Sequence, residues 1–145
     1  MIRILFFLLV SHVGLLATPA WASALTVADG QVRVPMPGRT VTAGYFTVHN
    51  DSADEVSLLS AHSGAFERAE LHQHTHHDGV MRMVQVEHVA IAAKSSVTMQ
   101  PGGLHLMLFN PVQPLLAGES VAVTLQFSNG EQLEISMPLT EMPRR

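Results

Sequence analysis

The segment Leu71–Met83 reads LHQHTHHDGVMRM, and it gathers His72, His74, His76 and His77 ahead of Met81 and Met83. Imidazole nitrogens and thioether sulfurs are metal ligands, so the first chemistry to test is metal binding. The spacing extends beyond the segment. Ten residues separate His72 from Met83, twenty-one separate Met83 from His105, and one separates His105 from Met107. Residues i and i+2 of a strand point to the same side, so His105 and Met107 can converge, as can Met81 and Met83. Strands carrying His72 and Met83 beside the strand of His105 would close a site of two His and two Met.

The donor set selects the ion. Thioethers are soft and favour Cu(I), whereas imidazole accepts either copper state or zinc. Zinc sites use Cys, His or carboxylate. A blue-copper centre needs a Cys thiolate, and the chain has no cysteine. Two neutral imidazoles and two thioethers bring no negative charge, which suits the monovalent ion. His74 could replace His72 after a change of register. Met81 reads equally as packing or as a secondary thioether. His74, His76 and His77 read as a polar loop, with a secondary Cu(II) site on that loop as the sharper alternative. His49, His62 and His88 read as ordinary strand histidines, and Met36, between two prolines, as an exposed thioether.

Catalysis has little to stand on. No Ser-His-Asp context and no Gly-rich phosphate loop is present. A zinc hydrolase would need an open metal position and a base, for which Glu70 or Asp78 are the candidates. A metal-dependent exported enzyme and a purely structural β-sandwich module are therefore the alternatives to a metal carrier, and the expectation is that the protein is not an enzyme.

The elements that must position these residues are short strands broken by turns. Segments 31–34, 42–50, 55–63, 67–72, 79–91, 95–99, 104–110, 119–127 and 132–139 are rich in strand formers or alternate in polarity. Ser128-Asn129-Gly130 marks a hairpin between the last two. No segment has the period of a long helix. One all-β domain, a sandwich or Greek-key barrel, is expected over residues 25–145.

The first residues, MIRILFFLLVSHVGLLATPAWASA, carry Arg3, a short apolar run and small residues. They predict a signal peptide over 1–24, cut after Ala22 or Ala24, and hence an exported protein without a stable membrane anchor. No cysteine follows the run, which argues against lipid attachment. The formal net charge of −4 and the lack of any basic cluster beyond Arg144-Arg145 argue against nucleic acid as a partner.

With ELHQHTHHDGVMRM and PGGLHLML in view, the chain resembles the periplasmic copper chaperones of the PCuAC type. Their pattern is His-x10-Met-x21-His-x-Met, which His72, Met83, His105 and Met107 match. The resemblance runs from about Val32 to Pro138. It implies a cupredoxin-like Greek-key β-sandwich in the periplasm that binds Cu(I). It also implies delivery to the copper-bearing subunit of a cytochrome oxidase, alongside a Sco-type thiol protein. Some relatives carry a His- and Met-rich C-terminal tail; this chain ends in MPLTEMPRR.

Overall fold

In the computed structural model, residues 23–141 are described. The predicted signal peptide lies outside them apart from Ser23 and Ala24. Ten strands follow in order: β1 (Leu25–Arg33), β2 (Val41–Asn50), β3 (Val56–His62), β4 (Phe66–His77), β5 (Val80–Gln85), β6 (Val89–Ile91), β7 (Ser95–Thr98), β8 (Leu104–Pro111), β9 (Ser120–Phe127) and β10 (Gln132–Thr140). They pair along one path, β5-β4-β8-β2-β1-β10-β9-β3-β6, with β7 also on β2. A short parallel junction, Val32 beside Leu139 and Arg33 beside Thr140, joins the two halves. The neighbours β4–β8 and β1–β10 are distant in sequence, as a Greek key requires, and the two halves pack as a cupredoxin-like β-sandwich.

Alternation builds the core. Val121, Val123, Leu125 and Phe127 of β9 point inward, as do Phe46 and Val48 of β2 and Met137 and Leu139 of β10. Leu71 of β4 and Leu106 and Leu108 of β8 supply the layer beneath the histidine segment. By the same period-two rule, Glu70, His72, His105 and Met107 face away from that core. Gly44 of β2 packs closely here, since a Cβ would lie 3.4 Å from Val32 and 3.5 Å from Met137.

Three elements differ from the sequence reading. The first is β1, which begins at Leu25 rather than Gln31; its register shifts between Ala28 and Gln31, where Asp29 has φ 55°. The second is the segment 79–91, which divides. Its first part stays beside β4, while β6 crosses to pair with β3. The third bears on the site. His74, His76 and His77 belong to strand β4, not to a loop. His77 pairs with Val80 across the two-residue turn Asp78-Gly79, whose φ angles of 51° and 77° are both positive, as a type I′ hairpin needs.

Candidate metal centre

The ladder fixes which side chains can meet. On β4 and β8, His72 lies opposite His105, and Glu70 opposite Met107. On β4 and β5, His74 lies opposite Met83, and His76 opposite Met81. Direct partners share a face. His72, His74, His76, Met81, Met83, His105 and Met107 therefore all stand on the outward face of three adjacent strands. His77 stands on the opposite face, where its exposed ring approaches Asp78 at 3.3 Å.

The four residues of the spacing pattern share this face without forming a square. His72, His105 and Met107 lie on β4 and β8. Met83 lies on edge strand β5, one rung further along, and β4 runs between it and β8. Met83 is 46% exposed, so reaching the other three would take a turn of its side chain. Its long, unbranched side chain suits that role.

Two imidazoles are held in defined orientations. The Nε2–H of His72 donates to Glu70 Oε2 at 2.8 Å, and Arg68 Nε donates to the other carboxylate oxygen at 2.7 Å. Arg68 itself lies over the Phe109 ring at 4.2 Å. His105 Nδ1–H donates to the carbonyl of Gly103 at 3.0 Å. Each bond places the proton on one ring nitrogen and leaves a lone pair on the other. Those others, His72 Nδ1 and His105 Nε2, are buried without any hydrogen-bond partner, and so is His74 Nδ1. Buried polar atoms without partners are uncommon in proteins. Metal-binding imidazoles typically show this arrangement, one nitrogen held by a carboxylate or carbonyl and the other left for the ion.

Burial pushes the His105 imidazole below its ordinary pKa, and the neighbouring His74 and His72 add to the depression. The bond to Gly103 opposes it in part. The ring is thus kept neutral, the form that binds metal. The His105 ring centroid lies 6.0 Å from that of His72 and 4.9 Å from that of His74. Among the described residues, no three His, Asp or Glu side chains are gathered closely enough to hold a metal by themselves. Closing a shell around an ion here therefore calls for thioethers or for side-chain rotation.

Sequence reasoning missed Glu70 as the residue that orients His72, having weighed it only as a base. The signal was present, because Glu70 is two residues before His72 on one strand. The Gly103 carbonyl was not readable, since backbone acceptors leave no mark in a sequence. His49 pairs with Thr26 of β1 and Ser96 of β7, and His62 pairs with Thr124 of β9, all away from the cluster.

The fold and this face together define a PCuAC-type β-sandwich. The copper-bound PCuAC domain from PmoF2 matches with a TM-score of 0.70 at 21% identity, over 84% of this chain and 97% of that one. CuI-DR1885 from Deinococcus radiodurans matches with a TM-score of 0.63 at 30% identity, over 82% and 81% of the two chains. Residues 25–139 match the family described as "Putative lipoprotein LpqE-like", and the chain belongs to that family. The "Putative lipoprotein Lxx21020" of Leifsonia xyli is 30% identical over 109 residues, and "Uncharacterized protein RP573" of Rickettsia prowazekii is 32% identical over 92. The matched regions span 66% and 51% of those relatives' lengths. A thioether-linked lipid needs a cysteine, and these 145 residues contain none.

Proposed function

We propose that the protein is an exported copper carrier that binds one Cu(I) through His72, Met83, His105 and Met107. In this reading it works in the periplasm, after removal of residues 1–22 or 1–24, and carries copper as cargo rather than using it in catalysis. The observation that carries the reading is the pair of buried, unpartnered nitrogens, His72 Nδ1 and His105 Nε2, on the face that also bears Met107 and Met83. The thioethers select Cu(I), and the imidazoles accept it as well, so the mixed set suits the monovalent ion. The likeness to CuI-DR1885, at 30% identity, supports the same ion. The acceptor we propose is the copper-bearing subunit of a cytochrome oxidase, with a Sco-type thiol protein as co-worker.

Anaerobic Cu(I) titration of the exported form against a competing chelator tests the reading. One tight equivalent is expected, with mixed sulfur and nitrogen scattering in X-ray absorption. A shell of nitrogen and oxygen alone, or failure to compete with the chelator, would remove the two-His, two-Met assignment. Acceptor identity is tested by mixing the loaded protein with the soluble domain of the oxidase subunit and measuring copper in each after separation.

A further inference from the structure

Strands β4, β5 and β8 carry two carboxylates, Glu67 and Glu70. Glu67 is held by Asn110 Nδ2 at 2.8 Å. Glu70 stands on the ligand face itself, directly across the ladder from Met107 and two residues before His72. A carboxylate beside two imidazoles is a normal donor set for zinc and other divalent ions. Its negative charge also attracts a divalent ion twice as strongly as a monovalent one. Glu70 therefore works against the selection that the thioethers make, unless its charge and its oxygens are otherwise engaged.

Both oxygens are engaged. Oε2 accepts from His72 Nε2–H at 2.8 Å, and Oε1 accepts from Arg68 Nε at 2.7 Å. Among the described residues, no three His, Asp or Glu side chains are gathered to hold a metal, so Glu70 stays out of such a set. Exposed ion pairs usually contribute little, and the Arg68 side chain is 60% exposed. Two features strengthen this one. The Glu70 side chain is only 19% exposed, which shelters the pair on one side. Arg68 also has a second anchor, because its guanidinium carbon lies 4.2 Å from the ring centroid of Phe109, its direct ladder partner on β8. A cation over an aromatic face is attracted by the ring quadrupole.

We infer that Arg68 is a positioning residue that sets metal specificity. By occupying Oε1 and balancing the charge of Glu70, it withholds the one carboxylate of this face and keeps the site selective for Cu(I) over divalent ions. The inference rests on the Cu(I) reading above and deepens it. The charge balance acts with every side chain where it stands: Arg68 and Glu70 together add no net charge beside the ligands. Without Arg68, His72 would still hold Oε2, while Oε1 and a full negative charge would be left facing the site.

The test uses the whole exported form, with Zn(II) and Cu(I) salts as separate probes in chelator competition. Arg68→Leu still packs on Phe109 but offers neither charge nor donor. It should raise Zn(II) affinity by about tenfold or more, while Cu(I) affinity does not rise. Arg68→Lys keeps a positive donor for Oε1 and should stay within about threefold of wild type for Zn(II). The double variant Arg68→Leu/Glu70→Gln should return Zn(II) affinity to the wild-type level, because the amide carries no charge. Circular dichroism melts of each apo-variant verify the fold. A merely structural role for Arg68 would lower both affinities together. Zn(II) affinity unchanged or lowered in Arg68→Leu, or a gain that survives Glu70→Gln, would overturn this inference and leave the carrier reading standing. Failure of wild type to take Cu(I) would remove the carrier reading and this inference with it.

Discussion

His72 and His105 face each other across the β4–β8 ladder, and each has one ring nitrogen hydrogen-bonded and the other buried without a partner. The holders differ. One is the Glu70 carboxylate, the other the Gly103 carbonyl. Only the first can be changed by a side-chain substitution, and that makes it the direct probe of how the site is set.

Glu70→Ala should weaken Cu(I) binding by about 10- to 100-fold, the usual cost of removing a residue that orients a metal-binding histidine. Glu70→Gln should recover most of the loss, because its amide oxygen still accepts from His72 Nε2. Chelator competition on the three proteins checks both outcomes. Equal affinities throughout would mean that His72 needs no holder.

The depressed pKa of His105 gives acid behaviour with a defined sign. The folded protein releases this proton more readily than the unfolded chain, whose ordinary value is 6.5. Between the two values the unfolded state binds more protons, so stability rises with pH. The contribution is complete above pH 6.5 and is lost as pH falls through the lowered value. His74 and His72 face the ring and contribute to the depression after burial. Chemical denaturation of the apo-protein from about pH 7.5 down to about pH 5 should show a fall that His105→Gln reduces.

Asn50 supports the end of β2 that pairs with β1 and β7 rather than with β8. It is fully buried, and its Nδ2 donates to the carbonyls of Asp54, Ile91 and Ala92 at 2.9, 3.0 and 3.2 Å. Its Oδ1 accepts from Ser52 N at 3.0 Å. Asn50→Leu would leave those groups without this partner and should cost about 3 kcal/mol. Cu(I) affinity should stay the same, since no ligand strand moves. Urea denaturation and chelator competition on one preparation measure both.

Much of this was legible because burial writes itself into alternation. The inward Val121, Val123, Leu125 and Phe127 of β9 and the outward His105 and Met107 of β8 follow from period two alone. The outer half of β4 was not legible. Gln73, His74, Thr75, His76 and His77 are polar on both faces, so no pattern separates them from a loop. Their strand geometry comes from the Asp78-Gly79 turn and the ladder to β5. The break after β5 was hidden for the opposite reason, because alternation runs on through Val86 while the chain crosses to β3. Spacing identified the ligand candidates, His74 among them; the register showed which of them share one face.

The final prediction asks whether copper is cargo or scaffold. The core of Phe46, Val48, Leu106, Leu108, Val123, Leu125 and Met137 is buried, and none of these residues belongs to the proposed ligand set. A scaffold metal would couple binding to folding and leave the apo-protein unfolded. Here the ligands stand outside the core, so the apo-protein should melt cooperatively. Met107→Ala removes a half-buried side chain and should cost about 1 kcal/mol or less. His105→Ala removes a buried ring together with its unpartnered nitrogen, so the lost packing is partly offset; a cost of about 1–2 kcal/mol is expected. Both variants should remain folded while losing Cu(I). Copper should raise wild-type stability only by ligand linkage, about 2.7 kcal/mol when free metal stands at roughly a hundred times the dissociation constant. Circular dichroism melts at several buffered Cu(I) concentrations give that dependence. An apo-protein without a cooperative transition would make the ion part of the fold, and a carrier that unfolds on release could not deliver its load and return.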